Sequence, residues 1–248
     1  YRRLPTIWRL ASDAGLRVGA YAFPATYPAE TINGIQVCGF DTPLGSSQAR
    51  GWTHPPELAG RLRARYGDLA VSGPAQSRIG PGWHAESLAT MKRDISKRGR
   101  IVADLISEDD YDIFAVHFSE SDTVAHHFWQ FSDPGSPRYT AAPFEDALLE
   151  VYRSLDAELG RLVDAAGPAA TVVLVSDHGS GGSSDRAVAW NSWLADHGWL
   201  SFKAGRPARV GAAARGMLRR AALGCLPRRW QPRLFGRVRK GVGALEAS

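Results

Sequence analysis

Two apolar runs, each followed at once by an aspartate and a histidine, constrain this chain more than any other feature. The first is Ile113-Phe114-Ala115-Val116, which breaks into Ser119-Glu120-Ser121-Asp122-Thr123-Val124-Ala125-His126-His127. The second is the stretch ATVVLV at 170–175, which ends in Ser176-Asp177-His178-Gly179. Both are rich in strand-forming side chains. The second is almost uninterrupted, the pattern of a strand buried on both faces of a parallel sheet. A charged pair at the end of such a strand costs free energy unless it binds something.

Helical periodicity fills the space around these strands. Apolar stripes predict helices over Leu4–Ala14, Pro55–Tyr66, Glu86–Glu108, Phe144–Ala166 and Val188–His197. Arg17–Ala22 reads as a further short strand. Phe23–Pro43 reads as a long ordered loop with a small hairpin at Asn33-Gly34, and Gly67–Trp83 carries only turn signals. Helix, strand, helix, strand and helix in this order predict an α/β fold, a mostly parallel central sheet flanked by helices. In such sheets ligands bind at the carboxyl ends of the strands. Both Asp/His clusters stand there.

The 248 residues, 44% hydrophobic and 22% charged, can bury a substantial core. No apolar run reaches the roughly 18–20 residues a bilayer-spanning helix needs. Two cysteines, Cys38 and Cys225, are too few for a disulfide framework or a thiolate metal site. They leave the compartment open, with the balance slightly toward the cytoplasm. The chain starts at Tyr1 and enters a helix almost directly. That start reads as an internal piece of a longer protein, so a missing signal peptide carries no information.

The net charge of +5 hides an asymmetry. Of the 30 Lys and Arg residues, 12 lie in 203–248 against one acid, Glu246, which leaves 18 basic and 24 acidic residues in 1–202. Two parts are therefore expected: a mildly acidic body over 1–202, and a basic helical insertion or tail over 203–248. Short basic helices are predicted around 210–223 and 230–240. Interleaved Arg and Leu also suit contact with an anionic membrane surface through 203–240, and that alternative stays open. Only Trp230 and Phe235 could stack on bases there, which argues against specific nucleic-acid recognition.

Asp122 and His126 are four residues apart, so one helical turn puts both on one face. Asp177 and His178 adjoin Gly179, Gly181 and Gly182, which let the backbone turn sharply enough for side chains to converge. Carboxylate and imidazole donors without thiolates suit zinc, manganese or iron rather than calcium. His127 is expected to pack or support, and His117 to be a satisfied core residue. His84 and His197 read as surface residues.

These motifs resemble the alkaline phosphatase superfamily, and most of all its type I phosphodiesterase/nucleotide pyrophosphatase branch. The resemblance rests on Asp122-x-x-x-His126 with Phe128-Trp129, and on Asp177-His178-Gly179. It extends to the loop Phe23-Pro24-Ala25-Thr26-Tyr27-Pro28 and to Asn191-Ser192-Trp193-Leu194. It implies hydrolysis of phosphate mono- or diesters of small molecules by two divalent metal ions, zinc first and manganese second. Asp122 and His126 would ligate one ion, and Asp177 and His178 the other.

The family's nucleophilic Thr or Ser, and one Asp ligand, would lie upstream of Tyr1; a further His would lie downstream of His197. No catalytic nucleophile is therefore expected within the chain, and Thr26 reads as part of a loop. A fragment of this kind is expected to turn over little substrate alone. Two alternatives remain: a non-catalytic metal- or anion-binding module, and a sulfatase, phosphonoacetate hydrolase or phosphoglycerate mutase relative.

Overall fold

The structure, a computed structural model, describes residues 4–39, 51–67, 69, 79–141, 143–186 and 188–202. The basic segment 203–248, its two expected helices and the membrane contact lie outside the described residues. The chain divides into two compact units, 1–185 and 186–248. The described part of the second holds one short helix, Trp190–Asp196.

The first unit is built on a four-stranded sheet. In chain order its strands are β1 (Val18–Phe23), β2 (Gly34–Cys38), β3 (Thr53–His54) and β4 (Ile113–Val116). Across the sheet the order is β3-β2-β1-β4. β1 pairs in parallel with both β2 and β4, and β3 pairs antiparallel to β2. The expected α/β architecture, mostly parallel and flanked by helices, is the one found. The helices of this unit are α1 (Ile7–Asp13), α2 (Leu58–Tyr66), α3 (Trp83–Ser107), α4 (Glu120–Ser132) and α5 (Ala147–Ala166).

Local chemistry explains several boundaries. α1 starts where the Thr6 hydroxyl accepts a bond from the Arg9 amide at 3.2 Å, satisfying an otherwise orphaned N–H. It buries Trp8 and Ala11 against Val18, Ala20 and Ile32. β1 sits between two neighbours, and accordingly Val18, Ala20, Tyr21 and Ala22 are all buried. α3, α4 and α5 share a second core of Met91, Ile95, Val124, Phe128 and Val151, each with no exposed surface. Burying side chains of this size stabilises by about 1.5–3 kcal/mol each.

Two expectations need correction. Asn33-Gly34 is not a hairpin turn. The Asn33 side chain donates to the carbonyls of Gly15 and Leu16, and its own carbonyl accepts from Val18. This fastens the chain beside the start of β1, and Gly34 then opens a parallel strand. At φ 137° Gly34 passes so near the Val18 backbone that a β-carbon would lie 2.9 Å from the Val18 carbonyl carbon.

The second correction concerns 170–175. This run forms no strand, and Val173, Leu174 and Val175 are 75–82% exposed. A strand exists only where a neighbour completes its hydrogen bonds, and among the described residues none lies beside this run. Among the described residues β4, at the sheet edge, pairs with β1 alone.

Candidate metal centre

β4 delivers the chain into α4 at the carboxyl end of the sheet. α4 starts at Glu120, so Asp122 falls in its first turn and His126 one turn later. Their side chains meet as the spacing predicts: Asp122 Oδ1 lies 3.3 Å from His126 Nε2. Both are exposed, pointing away from the core that Val124 and Phe128 enter from the same helix.

Asp177 and His178 lie on an exposed, irregular segment, with His178 Nε2 3.7 Å from Asp177 Oδ2. His178 Nδ1 is 2.8 Å from the Gly179 carbonyl. A carbonyl can only accept, so Nδ1 carries the hydrogen and the neutral ring leaves its Nε2 lone pair for a cation. The same bond, then the Asp177 and Asp122 charges, raise the His178 pKa above the ordinary histidine value. Asp122 thus acts on the second pair. Asp177 in turn acts on His117, just past the end of β4. Gly182 also runs against α4 and the loop after it: a β-carbon there would stand 2.9 Å from Ser136 Oγ and 3.4 Å from Trp129 Cδ1. The two clusters therefore share one end of the fold.

The donor spacing can be tested against a cation. Zinc bonds of 2.0–2.2 Å to oxygen and nitrogen imply about 3.3–3.6 Å between neighbouring ligand atoms of a tetrahedron. The Asp122–His126 pair matches that edge, and Asp177–His178 lies just beyond it. Among the described residues, no three His, Cys, Asp or Glu side chains gather as a metal-holding group. The described residues thus offer two separate Asp–His pairs.

The remaining histidines have structural surroundings. His127 packs edge-on against Trp83, with ring centres 4.8 Å apart, and its Nε2 is buried without a hydrogen-bond partner. Burial, then the neighbouring His126 and His84, lower its pKa. His117 is half-buried beside Phe23, its pKa lowered first by burial and then by Arg98. His84 is not the surface residue expected. It is half-buried among Phe128, Phe131 and Phe144, where burial lowers its pKa. His197 is exposed and lies against Trp193, its ring nitrogen 2.8 Å from the Trp193 carbonyl.

Thr26 is committed to the loop after β1. Its buried hydroxyl donates to the Phe23 carbonyl at 2.6 Å and accepts from the Gly39 amide at 3.2 Å. A hydroxyl so engaged is not presented to a substrate.

Sequence reasoning missed a buried ion pair behind α4. Arg98 Nη1 meets Glu120 Oε2 at 2.8 Å, with the two side chains 2% and 1% exposed. One signal pointed to it. The helical stripe Met91, Ile95, Val102 and Leu105 has Arg98 in the next buried place after Ile95, a cation where an apolar residue belongs.

No curated protein and no solved structure gives a match to the chain. A family model described as Type I phosphodiesterase / nucleotide pyrophosphatase matches residues 2–226. With that coverage, and two Asp–His pairs at one end of a mostly parallel α/β sheet, the chain belongs to the type I phosphodiesterase/nucleotide pyrophosphatase family, a hydrolase family acting on phosphate esters.

Proposed function

We propose that this chain carries the metal-binding part of a phosphodiester hydrolase that uses two divalent ions, zinc in preference to manganese. Asp122 and His126 hold one ion, and Asp177 and His178 the other. One observation carries the reading: each pair sets a carboxylate oxygen and an imidazole nitrogen at about the edge of a zinc tetrahedron.

The cations, once bound, supply positive charge against the phosphate and lower the pKa of a coordinated oxygen. The chain's own residues orient them. α4 holds Asp122 and His126 one turn apart, and the Gly179 carbonyl fixes the His178 tautomer. No residue of 1–248 is assigned the nucleophile's role.

The lack of a three-donor cluster among the described residues favours a second reading, a chain that binds metal without turnover. Elemental analysis after dialysis tests the ligand assignment, and p-nitrophenyl phosphodiester hydrolysis tests whether the chain alone turns over. Two zinc ions per chain, falling to one in Asp177→Ala, support the assignment; full occupancy in that variant refutes it. Zinc-dependent turnover by the chain refutes the binder and places a nucleophile within 1–248; stoichiometric zinc without turnover is the outcome expected of a chain to which no nucleophile is assigned.

A further inference from the structure

We infer that the buried Arg98–Glu120 pair is a positioning device for the metal-binding turn of α4, acting on Asp122 through the helix backbone. This rests on the reading of Asp122 and His126 as ligands.

Glu120 is the first residue of α4 and Asp122 the third. At 3.6 residues per turn, two positions are about 200° apart around the axis. Glu120 thus points inward where Asp122 points out, and fixing the rotation of one fixes the other. The fixing is tight. The Arg98 guanidinium bonds Glu120 at 2.8 Å and lies 5.2 Å over the Phe118 ring, just before α4. One rigid side chain from α3 therefore grips both sides of the β4–α4 junction.

The N-cap side chain supplies no anchor of its own. Ser119, at the N-cap, makes no side-chain capping bond, and its carbonyl takes the first-turn bonds from the Thr123 amide and hydroxyl. A fully buried ion pair is a weak source of stability, since apolar residues of similar volume often stabilise as well or better. What the pair supplies that apolar residues cannot is direction. The planar guanidinium donates from Nη1 to one carboxylate oxygen, Oε2, while its face lies over Phe118, and the two contacts together limit the orientations open to Glu120.

The test uses the 248-residue chain and the double variant Arg98→Met/Glu120→Leu, which removes both charges together. Three quantities are read: metal-free thermal midpoint, hydrogen exchange of the Thr123–His126 amides, and zinc affinity by chelator competition. The expected result is an unchanged or higher midpoint, faster exchange confined to the first turns of α4, and zinc affinity lower by about 10–100-fold. Unchanged exchange and affinity overturn the proposal. A lower midpoint with faster exchange throughout the chain also overturns it, because the pair is then merely structural. If the unsubstituted chain binds no zinc, the metal reading fails, while the exchange measurement still decides whether the pair orders α4. Should the double variant not fold, Arg98→Lys, which keeps the charge but loses the planar guanidinium, takes the same three measurements.

Discussion

Asp122 and His126 face each other at 3.3 Å across one turn of α4, with their side chains half or more exposed. An exposed carboxylate–imidazole contact contributes little to stability, because water screens it and ordering both side chains costs entropy. His126→Ala is therefore expected to leave the thermal midpoint within about 2 °C, in line with the small effects of most surface substitutions. It is expected to remove one of two zinc ions per chain by elemental analysis. An unchanged metal content counts against His126 as a ligand.

Phe128 ties α4 to its neighbours. It has no exposed surface and lies against Trp83, Phe131 and Phe144. Phe128→Ala should cost about 3–5 kcal/mol, read from the urea midpoint by circular dichroism, because the cavity adds to the lost transfer free energy. A loss below 1 kcal/mol would mean that this core collapses around the gap.

Gly99 lets α3 and α5 approach. A β-carbon there would stand 2.7 Å from Glu158 Cδ and 2.8 Å from Glu158 Cβ. Glu158 is itself buried, with its carboxylate held 2.8 Å from Arg161 Nε, so it cannot swing away freely. Gly99→Ala gains up to about 1 kcal/mol of helix propensity but overpacks the interface by about 1–3 kcal/mol. Net destabilisation is expected in chemical denaturation. Stabilisation would show that α5 yields.

Asp94 makes stability depend on pH. It is buried on α3, and burial, opposed mainly by Arg93, raises its pKa above the carboxylate norm. A folded-state pKa above the unfolded one means that ionisation opposes folding. The cost is absent below the unfolded value, grows as pH rises and is complete above the folded value. Asp94→Asn should therefore raise the thermal midpoint at pH 7, with the gain shrinking as pH falls toward 4. A gain that grows on acidification would reverse this assignment.

The sequence by itself determined the α/β class, four of the five helices of the first unit to within a few residues, and the Asp122–His126 contact. Each depends on local periodicity: 3.6 residues per turn dictates both the apolar stripes and the meeting of side chains four apart. Only the tertiary structure decided what depends on a distant partner. Asn33-Gly34 opens a parallel strand because its bonds go to Gly15, Leu16 and Val18 rather than to a turn of its own. The run 170–175 has a strand's composition but no described neighbour, and composition cannot supply one. Arg98 and Glu120, 22 residues apart, became a buried pair only when α3 packed behind α4. Asp122 came to act on His178 only because the chain returns from α5 to the same end of the sheet.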